Sequence, residues 1–177
     1  EEAVIRPLEA PVKARSSLVI VKGDRSDAQS TSIAPQGCVF KLNAKQRVFE
    51  GLARVFDHES EAVAACLEGD IVDGDVIVLR YQGVSVGCPE LLRLTSALSG
   101  MGSDARIAVA TDGRLSGVSR GTLVVHAEPE AWRGGPIALI EEGDAIRLDG
   151  EGESLVVRVG VGEMAQRRER WQKPNII

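Results

Sequence analysis

Chemically useful side chains concentrate in one run, Thr111-Asp112-Gly113-Arg114-Leu115-Ser116-Gly117-Val118-Ser119-Arg120-Gly121, which holds three glycines, two serines, two arginines and an aspartate. Glycine lets backbone N–H groups come close to a ligand, and a guanidinium can grip a carboxylate or phosphate. Asp112, Arg114 and Ser119 are therefore candidate substrate-loop residues. The same composition also suits a solvated loop between strands, and residue types alone leave both readings open. A second candidate is Glu90, beside Pro89 at the expected start of a helix. A carboxylate there is ordinarily just stabilised by the helix dipole. Facing a polar glycine-rich loop, it could instead be an oxygen ligand for a hard cation such as magnesium.

The elements around these residues give a reason for them to meet. A helix from Pro89 to about Gly100 advances roughly 17 Å at about 1.5 Å per residue. A strand from Arg106 to Thr111 returns a similar distance at about 3.3 Å per residue. Packed antiparallel, the two place Glu90 near Asp112, Arg114 and Ser116.

Further strands are expected at Leu18 to Lys22, Cys38 to Leu42, Leu52 to Phe56, Val76 to Arg80, Ile107 to Ala110, Thr122 to His126, Pro136 to Ile140, Ala145 to Asp149 and Leu155 to Val159. Asp57 is placed to cap a helix ending at Gly69, and a charged helix runs from about Glu163 to Trp171. Asp24 to Ser32 reads as a polar surface loop. The order implies a β-rich α/β domain, a barrel-like mixed sheet of roughly eight strands with two or three covering helices. Residues 1–15 read as an extended arm and 16–177 as one domain.

Other candidates carry less. Cys38, Cys66 and Cys88 form no C-x-x-C pair, which suggests neither a disulfide framework nor a zinc knuckle. Cys66 reads as a small core residue and Cys88 as the more exposed of the three. His126 at a strand end reads as structural rather than as a phosphohistidine, and Arg167, Arg168 and Arg170 as a solvated face. An aromatic content of 3% and a net charge of −5 argue against nucleic acid. No apolar run approaches the roughly 20 residues that span a bilayer, and the first residues lack a secretory pattern. A soluble cytoplasmic protein is the expectation.

The run Thr111 to Gly117 resembles the signature near the carboxy terminus of dihydroxy-acid dehydratases and their sugar-acid relatives, including phosphogluconate dehydratase. Ile5-Arg6-Pro7-Leu8, Ala34 to Lys41, Ala53 to Asp57, Gly74 to Tyr81, Pro89-Glu90-Leu91, His126 to Ala131, Gly134 to Leu139 and Arg167 to Trp171 resemble further stretches in the family's order. The resemblance implies a swivelling, barrel-like carboxy-terminal domain that closes over an amino-terminal partner domain. That partner would carry the cysteines of an iron–sulfur cluster and most magnesium ligands, in a homo-oligomeric enzyme acting on a small hydroxy acid.

By the same resemblance, Glu90 falls on a magnesium-ligating glutamate and Ser116 on a serine that accepts the substrate proton, while no cysteine here falls on a cluster ligand. The domain alone would then bind no cofactor and be inactive. The chain departs from the family at Val84-Ser85-Val86 within a shortened Gly83 to Gly87 loop, at Cys88, at Val118, and in about eight extra polar residues between Gly23 and Ile33. These departures leave the substrate's identity open, since the Gly83 to Gly87 loop is expected to help line the pocket. The rival reading is a free-standing, non-catalytic module that binds an acid or a partner chain.

Overall fold

The computed structural model describes residues 5–12, 17–42, 47–117 and 119–175. Nine strands are β1 (Leu18–Val21), β2 (Thr31–Ser32), β3 (Gly37–Lys41), β4 (Val48–Phe56), β5 (Val76–Leu79), β6 (Ala108–Thr111), β7 (Thr122–Glu128), β8 (Ala145–Asp149) and β9 (Ser154–Val157). Three helices are α1 (Glu59–Glu68), α2 (Leu92–Gly100) and α3 (Val161–Arg170). The strands form one curled, half-barrel sheet in the order β1-β3-β7-β6-β5-β4-β8-β9-β2. The pairs β4–β5, β5–β6 and β6–β7 are parallel. The pairs β1–β3, β3–β7, β4–β8, β8–β9 and β2–β9 are antiparallel. No helix among the described residues is long and apolar enough to cross a membrane.

Every residue of β5 and β6 is buried, as expected of parallel strands covered on both faces. Alternation sorts their side chains into two cores. Val76, Val78, Ala108 and Ala110 pack inside the curl with Phe40, Phe49, Ile140 and Leu148. Ile77, Leu79 and Val109 face α1 and α2, meeting Ala62, Cys66, Leu94 and Leu98. Full burial of such aliphatic side chains contributes about 1.5–3 kcal/mol each. The carboxy-terminal ends of β5 and β6, from which the candidate loops leave, are thus firmly anchored.

Several local expectations need correction. Pro136–Leu139 is a buried 3-10 turn and not a strand; the run is apolar without alternation, and Pro136 supplies a preset φ and no N–H. The α1 N-cap is His58, with no side-chain cap, because Asp57 instead accepts a 2.7 Å hydrogen bond from Arg80 Nε. Helix α2 begins at Leu92, so Pro89 and Glu90 precede it; its Leu94 N–H is capped by Glu59 of α1 at 3.0 Å.

The polar stretch from Asp24 ends in β2, where buried Thr31 and Ser32 pair with β9. Asp27 folds the turn before it by accepting N–H groups of Gln29 and Ser30, at 2.8 and 2.7 Å. Nor is the last helix a purely solvated face. Arg167 has a side chain only 10% exposed and donates to both oxygens of Asp144, at 2.5 and 3.1 Å, and to the Leu139 carbonyl at 3.1 Å.

Candidate functional site

The run that opens after β6 divides into a sealed part and an exposed part. Asp112 is buried at 3% exposure. Its Oδ1 accepts the Gln82 N–H at 2.9 Å and its Oδ2 accepts the Ala131 N–H at 2.8 Å. Burial pushes its carboxyl pKa up; the backbone N–H groups of Gln82 and Ala131 pull the other way, and nearby Glu130 adds to the rise. Gly113 is pressed so closely on Gln82 that a Cβ would lie 2.7 Å from the Gln82 Cβ, which is the physical reason for glycine there. Its carbonyl accepts the His126 N–H at 2.9 Å. His126 is exposed and adopts a left-handed φ of 53° at this bend in β7.

Glu130, also in the sealed part, is 2% exposed and ties three elements together. It accepts the Ser85 N–H at 3.0 Å and the Arg133 Nε at 3.0 Å, and the Ser85 hydroxyl donates to it as well. Burial alone would raise its pKa, but the Ser85 hydrogen bonds and Arg133 outweigh it and hold the carboxyl below the usual range. Through Ser85 it anchors the Gly83 to Gly87 loop, whose Val84–Val86 segment is a 3-10 turn closed by left-handed Gly87.

From Arg114 onward the chain turns toward solvent. Glu90 and Arg114 form an isolated parallel β-bridge, reinforced by the Leu91 N–H donating to the Arg114 carbonyl at 3.3 Å. Arg114 Nε donates to the Cys88 carbonyl at 3.0 Å, and its guanidinium stands 4.0 Å from a Glu90 oxygen. Both side chains remain open, at 52% and 42% exposure. The meeting expected from matched lengths therefore occurs, but a backbone bridge makes it and not a helix start at Pro89.

Ser116, two residues on, is half-buried. Its carbonyl accepts the Ser119 N–H at 3.0 Å, while buried Ser119 points its hydroxyl into the fold, onto Thr95 Oγ1 at 3.1 Å. Beside Ser116 lies a hollow of about 430 Å³, walled by Leu18, Val39 and Val125 with Lys41 and His126 at its polar side. The Gly83 to Gly87 loop does not line this hollow. It reaches the site only through the following Cys88 carbonyl. Lys41 Nζ donates to the Gly117 carbonyl at 2.8 Å and to the Ser119 carbonyl, and desolvation lowers its pKa.

The structure thus brings Glu90, Arg114 and Ser116 to one exposed end of the domain, and turns Asp112 and Ser119 inward beneath them. Lys41 and Glu130 stood out in the sequence only as members of longer resembling runs. A lysine closing an apolar strand, and an acid just after Pro129, were the signals that could have found them.

The donor set fits one implied metal and not the other. Exposed Glu90 offers the hard oxygen that magnesium takes. Among the described residues no group of three or more His, Cys, Asp or Glu could hold an ion, so Glu90 would be one ligand among others supplied from outside. An iron–sulfur cluster needs accessible thiolates. Cys38 and Cys66 are buried, which pushes the Cys38 thiol up to about 12 and raises that of Cys66 as well.

Sequence comparison adds an independent line. Residues 3–176 match the family described as dihydroxy-acid/6-phosphogluconate dehydratase C-terminal. Proteins named dihydroxy-acid dehydratase from Methanococcus aeolicus, Thermus thermophilus and Pyrococcus furiosus are 45%, 46% and 45% identical over 98%, 97% and 98% of the chain. The chain spans about 30% of the length of these curated relatives, 31%, 30% and 30% in turn. A match over nearly every residue, on a β-rich mixed sheet that curls as the resemblance implied, places this chain in the dihydroxy-acid/6-phosphogluconate dehydratase C-terminal family.

Proposed function

We propose that the chain is the carboxy-terminal domain of a hydro-lyase that converts a 2,3-dihydroxy acid or sugar acid to a 2-keto acid. The rest of that enzyme, an amino-terminal domain, supplies the cluster and the other metal ligands; the arm expected over residues 1–15 lies partly outside the described residues. The carrying observation is the Glu90–Arg114 bridge, which sets an exposed carboxylate beside the exposed stretch that holds Ser116.

The reaction removes the C2 proton and the C3 hydroxide, leaving an enol that becomes the keto acid. Ser116 takes the C2 proton. A serine hydroxyl is a weak base, so its alkoxide needs positive surroundings, and the Arg114 guanidinium supplies charge nearby. Glu90 is the domain's one oxygen ligand to magnesium. Held in part by Glu90, magnesium would supply Lewis-acid stabilisation of the negative charge that develops as the proton leaves. Asp112 and Ser119 shape the loop from beneath and do not touch substrate. No step is assigned to a cluster through this chain's cysteines.

The test is to express the native reading frame that contains this domain, reconstitute it anaerobically with iron, sulfide and magnesium, and assay 2-keto acid formation. The 177-residue chain treated identically is the control. Turnover by the longer protein alone is expected. Turnover by neither would favour a non-catalytic acid-binding module, and turnover by the short chain would refute the division of labour.

A further inference from the structure

The stretch after Ser116 is held in part by one distant side chain. Lys41 ends β3, which is placed by antiparallel pairing of Lys41 with Leu123 of β7 and with Leu18 of β1. From there its ammonium crosses to the carbonyls of Gly117 and Ser119, which follow the candidate base by one and three residues. An ammonium has three donors and no acceptor, so it can serve both converging carbonyls at once with a charge-assisted bond to each. The lysine is half-buried and borders the same hollow as Ser116. A charge-assisted hydrogen bond in such a place is roughly twice as strong as a neutral one. Ser119 completes the fastening through its own N–H to the Ser116 carbonyl and its hydroxyl to Thr95.

We propose that Lys41 is the positioning residue of the Ser116 loop, clamping the carbonyls of Gly117 and Ser119 so that the Ser116 hydroxyl is presented to the hollow. This deepens, and in its kinetic consequence rests on, the reading of Ser116 as the base. Lys41 acts through the loop backbone and not by contact with the reacting atoms. The site is therefore completed from two distant parts of the chain, with a strand edge setting the geometry of a loop 76 residues away.

Two measurements on Lys41→Met and Lys41→Arg test it. In the 177-residue chain, Lys41→Met should speed amide hydrogen exchange at Ser119 by about tenfold or more, with β5 and β6 amides unchanged. In the reconstituted full-length enzyme it should lower kcat by about 10- to 100-fold while KM moves less than about threefold, as expected of a misplaced base with binding intact. Lys41→Arg keeps donors for both carbonyls and should restore most of the lost kcat.

Unchanged Ser119 exchange in Lys41→Met overturns the proposal, as does a kcat equal to that of the parent while Ser116→Ala is inactive. If Ser116→Ala retains full turnover, the base assignment fails on its own; faster Ser119 exchange in Lys41→Met would still establish the clamp. Should Lys41→Met not fold, Lys41→Ala, which also removes every side-chain donor, takes its place under the same criteria.

Discussion

Thr111 to Gly113 and Arg114 to Gly117 are consecutive in sequence and opposite in physics. The first three residues are sealed: Thr111 Oγ1 accepts the Gly113 N–H at 3.0 Å, Asp112 uses both oxygens on backbone amides, and Gly113 has no room for a side chain. The next four lie open or half-open, fastened by a bridge to Glu90 and by the Lys41 ammonium. Burial and exposure are separated within seven residues, with the buried part fixing where the exposed part begins. Such a division lets a loop present polar groups to a ligand without the fold depending on them.

Substitutions on the two sides should separate accordingly. Ser116→Ala should lower turnover of the full-length enzyme by about two to four orders of magnitude, the usual worth of a positioned acid–base group. Its stability should change by about 1 kcal/mol or less in denaturant titrations, because only one half-buried hydroxyl is lost.

Asp112→Ala should do the reverse in the isolated chain. It strands the buried amides of Gln82 and Ala131 and should cost about 2 to 4 kcal/mol, read from the urea midpoint. A loss in Asp112→Ala no larger than in Ser116→Ala would erase the distinction.

Glu130 sharpens the same comparison through pH. Its folded pKa lies below its unfolded one, so its ionised form adds stability that is complete above the unfolded value and is lost as pH falls through the folded value. Glu130→Gln should therefore be clearly less stable than the parent at neutral pH, with the two curves converging in strong acid. A gap that persists in acid would mean that packing, and not charge, is what Glu130 supplies.

The smallest effect is expected at Arg114. Its ion pair with Glu90 is 4.0 Å long between side chains about half exposed, so Arg114→Met should shift stability by less than about 1 kcal/mol. Thermal melts at low and high salt would show it. A larger loss would mean that the Cys88 carbonyl contact, and not the bridge, holds the loop.

The sheet was legible wherever a strand alternates or is apolar throughout. Val76 to Arg80 and Ile107 to Ala110 read as buried strands, and the structure has them at Val76–Leu79 and Ala108–Thr111. Pro136–Leu139 misled because an apolar run has no period to tell a turn from a strand. Glu90 and Arg114 were legible as candidates, and their meeting followed from element lengths, although the bridge that joins them has no sequence signal. Lys41 and Glu130 were not singled out because their partners lie 76 and 45 residues away, and only tertiary pairing brings them together. Arg167 looked like one of several surface charges, and its burial depends on Asp144 and Leu139, which the helix pattern does not contain.

The central claim is that this domain contributes the proton-abstracting group of the dehydration. Its most direct measurement is exchange of the substrate's C2 hydrogen with deuterium oxide by the full-length enzyme and by its Ser116→Ala variant, each at saturating substrate. The account predicts exchange by the parent and a fall of about two to four orders of magnitude in the variant, with substrate affinity nearly retained. Exchange at the parent rate in Ser116→Ala would contradict it and assign the base to another group.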